Sequence, residues 1–239
     1  MQNLRKPLVN YLGLFLLLST IIIFGASKLF TFEEFIPLRG EEFFKLFSPA
    51  IYALYVFLFF TSVEAPNKKK LWVNIVLLFG IVVMAQGIAM NQTANFFNLQ
   101  YHDQVSEKAY DAIYFYDEYL GHFMAIMGML SALSLIMYLA LNPKTKQYKP
   151  GIMTYFSGIL TGILFFAQVI ESQMVPAFMP VAAILTSWMI YRTRKNKINI
   201  FKNDILTVFF LAFTVSMTCI LLWGAYYGEF IEFSDLGWI

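Results

Sequence analysis

The chain has 239 residues, of which 59% are apolar and only 13% charged, about half the charged share of a soluble domain. So few charges could not cover a water-exposed surface, and an aromatic content of 18% excludes a disordered chain. A single cysteine excludes a disulfide framework and any cysteine-rich metal centre. The composition is that of an integral membrane protein.

Seven apolar segments follow one another, each near the ~20 residues that carry a helix across a ~30 Å hydrocarbon core. They are Leu8–Ala26, Pro49–Val63, Leu71–Met90, Gly121–Leu141, Gly151–Ile170, Val175–Tyr191 and Ile205–Tyr226. None alternates with the period of two of a barrel strand. The expectation is therefore an all-α bundle of about seven transmembrane helices, a single polytopic domain over residues 1–239.

Basic residues collect in alternate loops. Arg5 and Lys6, Lys68 to Lys70, Lys144, Lys146 and Lys149, and Arg192, Arg194, Lys195, Lys197 and Lys202 fall on one side. Only two acids, Glu64 and Asp204, share it, giving formal charges of +11 there and −9 opposite. The positive-inside rule makes the N-terminus cytoplasmic and the C-terminus external. This predicts a protein of the cytoplasmic (plasma) membrane with its acidic face outside.

Two outer connections are too long for simple turns. Lys28–Phe47 mixes Glu33, Glu34, Glu41 and Glu42 with six phenylalanines, and Asn91–Leu120 is rich in Tyr and Phe. Both read as amphipathic pieces lying on the outer leaflet with rings at headgroup depth, and Trp223–Ile239 reads as an interfacial anchor. Asn91-Gln-Thr93 matches a glycosylation sequon, and His102 reads as a solvated loop residue. The short basic loops suit anionic lipid rather than nucleic acid.

Polar residues inside or at the rim of spans are costly unless partnered, so they are the candidates for function. The third span carries Gly80, Met84, Gly87, Asn91 and Asn95 at helical spacing, a face that is small at depth and amide-bearing outside. The fourth begins Asp117-Glu118-Tyr119-Leu120-Gly121-His122. Glu118 and His122 share a face at i,i+4, whereas Asp117 points about 100° away from Glu118. Behind them Gly121, Ala125, Gly128 and Ala132 form a second small face. The fifth span aligns Thr154, Ser157, Thr161, Gln168 and Glu171, beside a GxxxG pattern at Gly158 and Gly162. A tight hairpin with the sixth span should follow, its first turns shaped by Pro176 and Pro180.

A carboxylate beside an imidazole can bind metal, relay a proton or serve acid–base chemistry. Glu118, His122 and Glu171 are accordingly the candidate catalytic residues, with Asn91, Asn95 and Gln168 as candidate substrate ligands. Asp117, Glu118, His122 and Glu171 are the candidate ligands of a divalent metal, the one cofactor left open. No lysine lies in a span, which excludes a retinal Schiff base. Two histidines on one side exclude paired ligands for membrane-spanning haems. No Walker loop or GxSxG elbow is present, so no nucleotide site is expected. Three functions stay open: a hydrolase-like intramembrane enzyme acting on a lipid or other amphiphile, an outward-opening transporter or binding protein for a small cation or amphiphile, and a non-catalytic scaffold or accessory subunit. The expected partners are membrane lipids and, through the small-residue faces, a second copy or another membrane chain.

Overall fold

The computed structural model describes residues 5–25, 46–101, 106–233 and 235–237, with side chains described for 9–21, 46–97, 106–233 and 235–237. Among the described residues every regular element is helical: α1 (Arg5–Gly25), α2 (Ser48–Ser62), α3 (Leu71–Tyr101), α4 (Glu107–Tyr114), a π-helical turn (Phe115–Gly121), α5 (His122–Ala140), α6 (Ile152–Glu171), α7 (Val175–Lys195), a 3-10 turn (Ile200–Lys202) and α8 (Asp204–Tyr227). α4, the π turn and α5 form one unbroken rod, Glu107–Ala140.

Five helices are long and apolar enough to cross a membrane: Leu71–Phe97, Glu107–Ala140, Ile152–Glu171, Val175–Lys195 and Asp204–Tyr227. Two shorter apolar helices, Val9–Ile21 and Ser48–Ser62, accompany them. The bundle is thus helical as expected: beside these five, α1 at 21 residues, or ~31 Å, has the length of a span, and α2 is the short member. α2 has 15 residues, ~22 Å at 1.5 Å per residue, which falls short of a ~30 Å core.

The helix ends follow local chemistry. Pro49 and Pro176 open α2 and α7, where their missing N–H groups would have had no helical partner. Asn203 caps α8 by accepting from Leu206 N at 3.0 Å. Gly228, at φ 80°, closes α8 in the left-handed region that glycine enters without strain.

Glycine seams hold the bundle together. The small faces of α3 and α5 meet each other: a Cβ on Gly87 would lie 2.3 Å from Ala125 N, and one on Gly128 2.3 Å from Met84 N. Backbone touches backbone here, so neither helix tolerates a side chain at those positions. α6 uses its GxxxG pair against α8, where Gly158 meets Val208 and Leu211 and Gly162 meets Ala212 and Val215. Its polar stripe faces α1 and α2 instead. Thr154 Oγ1 donates to Asn10 Oδ1 (2.6 Å), Ser157 Oγ accepts from Gly13 N (2.6 Å), and the Thr161 and Tyr55 hydroxyls lie 3.5 Å apart. Between these pairs the core fills with rings, Phe59 stacking on Phe209 at 4.8 Å.

Three expectations change. The segment 91–120 does not form separate interfacial pieces, because α3 runs on to Tyr101 and the rod of α5 starts back at Glu107. Aromatic and polar composition did not mark where the helices end. The 28–45 part of the other amphipathic segment, and His102, lie outside the described residues. α6 and α7 are joined by only Ser172–Met174, yet α6 packs mainly on α8 and α1, so the hairpin is tight at its turn alone. The C-terminal segment, expected as an anchor, folds back on the bundle. Trp223 Nε1 donates to Ile231 O at 2.9 Å, and Phe233 packs edge-on against Trp223 and Phe166.

The loops carrying the lysines are stitched together at one end. Tyr148 donates to Glu64 Oε1 (2.9 Å), Lys146 Nζ lies 3.8 Å from Glu64 Oε2, and Asp204 N donates to Tyr148 O (2.9 Å). Asn196 reaches across to Leu141 O (3.0 Å), and Lys68 Nζ donates to Thr61 O and Val63 O at the end of α2. The opposite end, where α3 turns back into α4, carries the polar groups considered next.

Candidate functional site

Asn91 lies 20 residues, or ~30 Å, from the lysine-rich start of α3 at Leu71, and Gly121 lies 19 residues back from Ala140. These two residues touch: a Cβ on Gly121 would lie 3.0 Å from Asn91 N and 3.1 Å from Asn91 Cβ. Glycine at 121 is what lets the end of α3 lie directly on the π turn.

Across that contact Asn91 holds two partners at once. Its Nδ2 donates to Asp117 Oδ1 at 2.6 Å and lies 2.8 Å from His122 Nε2. Asp117 is 3% exposed, and its carboxylate fixes which way the amide faces, since an amide oxygen turned toward it would be repelled. With the –NH2 group facing His122, Nε2 must accept, so the imidazole is neutral and carries its proton on Nδ1. That Nδ1 is buried and within reach of the Glu118 backbone carbonyl one turn back, and the Glu118 carboxylate lies beyond it, with Oε2 at 3.8 Å, longer than a hydrogen bond. Glu118 is the more open of the two, its side chain 30% exposed against 19% for His122.

The π turn explains why Asp117 and His122 share a partner. Five residues apart in an α-helix they would point about 140° from each other. A turn bonded i→i+5 carries an extra residue and brings them onto one face, and such bulges recur at functional sites. Glu118 and His122 keep the i,i+4 proximity that their spacing implied.

A second carboxylate group gathers beside this network. Glu171 Oε2 accepts from Phe233 N at 3.0 Å, and Gln173 Nε2 donates to Glu232 Oε1. Glu118 lies within electrostatic reach of both Glu232 and Glu171. Tyr114 stands in the same field, between Tyr110 and Tyr119, with ring centroids at 6.3 and 6.1 Å. The returning C-terminal segment thus places one more acid at this level. The signal for it in the sequence was Gly228, which ends α8 and allows the chain to reverse.

Of the candidates singled out in the sequence, Asn91, Asp117, Glu118 and His122 come together, and Glu171 stands within charge range of them. Asn95 is exposed and Gln168 half-buried, and neither side chain makes a hydrogen bond among the described residues. The sequon at Asn91 is preoccupied, since a glycan on Nδ2 would displace Asp117 and His122. Among the described residues no three of His, Cys, Asp and Glu are arranged to hold a metal ion, and this includes Asp117, Glu118, His122 and Glu171. Cys219 is half-buried in α8. Comparison of the chain with family models, with curated proteins and with solved structures finds no match.

Proposed function

We propose that this multi-pass membrane protein is an acid–base enzyme of hydrolase type that works on an amphiphile at the outer boundary of the cytoplasmic membrane, with the acidic end of the bundle facing outward. The observation that supports this is the Asn91 bridge. It consumes the lone pair of His122 Nε2 and leaves the Nδ1 proton on the side of Glu118, whose backbone carbonyl is in reach and whose carboxylate lies 3.8 Å away. In this arrangement the histidine is not the base. Glu118, with an open oxygen and a donor beside it, takes the proton from an attacking water and returns it to the leaving group. His122 positions Glu118, and Asn91 and Asp117 hold the imidazole tautomer, as a buried acid does for a histidine in other hydrolytic sites.

The test is turnover by the purified protein in nanodiscs against a panel of ester- and amide-linked lipids. Wild type should hydrolyse at least one. Glu118→Gln should lower kcat by about 100-fold or more, the usual share of a general base. His122→Gln should lower it less and change its pH profile. An inactive wild type, or turnover indifferent to Glu118→Gln, sinks the reading.

A second reading rests on a different observation, the like charge that Glu171 and Glu232 present to Glu118, although no three of the acids are arranged as metal ligands. Converging carboxylates concentrate cations, as an outward-facing binding protein for a small cation would require. It predicts cation-dependent thermal stabilisation that Glu171→Gln and Glu118→Gln both abolish, with no turnover in wild type.

A further inference from the structure

At the lysine-rich end, rings join three helices across one seam. Trp72 of α3 packs edge-on against Tyr138 of α5 at 5.9 Å, and Tyr138 stacks on Trp188 of α7 at 6.4 Å. Farther along α7, Asn196 donates to Leu141 O at the end of α5 (3.0 Å). Arg192 lies midway between these two contacts, four residues from each and on the same side of α7. Its Nε is buried and has no hydrogen-bond partner among the described residues. The neighbouring carbonyls at the end of α5 serve other donors: Leu141 O takes Asn196, and Leu139 O takes the Thr145 hydroxyl (2.7 Å). The two acids of this end are engaged as well, Glu64 by Tyr148 and Lys146, and Asp204 by the backbone N–H of Ile205. A shielded guanidinium N–H with no acceptor is costly to leave unmade. What the seam lacks is an anion.

The flanking groups say which kind. Lys69 and Lys70 stand exposed just ahead of Trp72, whereas Lys68 is spent on Thr61 O and Val63 O, and Lys146 on Glu64. Both outer helices descend from cation to ring to apolar side chain: Lys70, Trp72 and Ile75 along α3, and Arg192, Trp188 and Ile184 along α7. Ile75 is 56% exposed and Ile184 67%. Ser134, one turn below Tyr138, spends its hydroxyl on Leu130 O (2.6 Å) and adds no free donor. We infer that the seam binds one anionic phospholipid, its phosphate on the Nε edge of Arg192 and its acyl chains along the exposed apolar residues below the rings. The edge of a guanidinium offers two parallel N–H groups to two oxygens of one phosphate, which an ammonium cannot do. A soluble phosphate would satisfy the arginine and leave the rings and Ile184 uncovered, whereas a lipid meets all three. The site lies at the end of the bundle opposite Glu118 and stands independently of the chemistry proposed there.

The experiment is native mass spectrometry of the full chain released from nanodiscs that contain phosphatidylcholine and phosphatidylglycerol in equal amounts. Wild type should keep one phosphatidylglycerol under conditions that strip phosphatidylcholine. Arg192→Gln should cut that retention about tenfold or more, the value of a charge-assisted pair. Arg192→Lys, which keeps the charge and loses the paired edge, should fall between the two. Lys202→Gln, an exposed cation on the 3-10 turn before α8, should match wild type. Should Arg192→Gln fail to fold, Lys69→Gln with Lys70→Gln, both exposed, should cut retention about fivefold for each charge lost. Equal retention of the two lipids by wild type, or retention indifferent to Arg192→Gln and to the lysine pair, overturns the proposal. So does a wild type that keeps no lipid but takes up inorganic phosphate in a way that Arg192→Gln abolishes, because the ligand is then a soluble anion.

Discussion

At the lysine-rich end Glu64 lies between a hydroxyl and an ammonium, Tyr148 at 2.9 Å and Lys146 at 3.8 Å, and Asp204 sits in the first turn of α8, where the helix dipole favours it. At the hairpin end the described donors to the acids are neutral amides: Asn91 for Asp117, the Phe233 backbone for Glu171 and Gln173 for Glu232. There Glu118 faces two acids of its own sign. One end is built so that removing a carboxylate costs stability. The other sets Glu118 in the field of two carboxylates of its own sign, an arrangement that native structures tend to keep where function needs it. Each prediction below sets one end against the other.

The largest effect is expected at Asn91. Asn91→Leu removes a donor from a carboxylate that is 3% exposed, and should cost about 2–3 kcal/mol, read as a fall in melting temperature in detergent. It also frees His122 Nε2. Melting unchanged by this variant would mean that the bridge carries no weight. Gly121→Ala is the companion test, since the added Cβ would lie 2.8 Å from Tyr116 O and 3.0 Å from Asn91 N. Overpacking of this kind costs about 1–3 kcal/mol. Gly151→Ala, with nothing within 4 Å of its added carbon, should show no such clash.

These two variants also mark what was legible beforehand. The glycine stripes could be read because a face that recurs every three or four residues needs only the α-helical period. Gly80, Gly87, Gly121 and Gly128 duly meet across one seam. Asp117 could not be assigned to His122 because its placement depends on a π turn, which changes the period and has no marker in the residue string. The level of Glu171 was countable from Gly151. Its actual donor, Phe233 N, lies 62 residues away on a segment whose reversal depends on tertiary packing rather than on local pattern.

Substitution of one glutamate at each end should give opposite signs. Glu64→Gln loses an ion pair and weakens the bond from Tyr148, for about 1 kcal/mol of destabilisation. Glu118→Gln relieves repulsion from Glu171 and Glu232 at a partly exposed site, for a gain of a few tenths of a kcal/mol. The check is parallel thermal melts of both variants at neutral pH. If Glu118→Gln destabilises as much as Glu64→Gln, Glu118 feels no net repulsion and the contrast fails.

The smallest effect belongs to Lys146, whose ammonium is held above its ordinary pKa of 10.5, first by the Tyr148 hydroxyl and then by the charge of Glu64. A lysine raised on folding stabilises the chain fully below its unfolded value, and that contribution fades as pH rises through the raised one. Melting temperature should therefore fall between neutral pH and pH values above 10.5 by slightly more in wild type than in Lys146→Met. Salt should shrink the difference, because the group is exposed and its field is screened. Equal alkaline slopes for the two proteins at low salt would show that the stitch depends on Tyr148 and Glu64 alone.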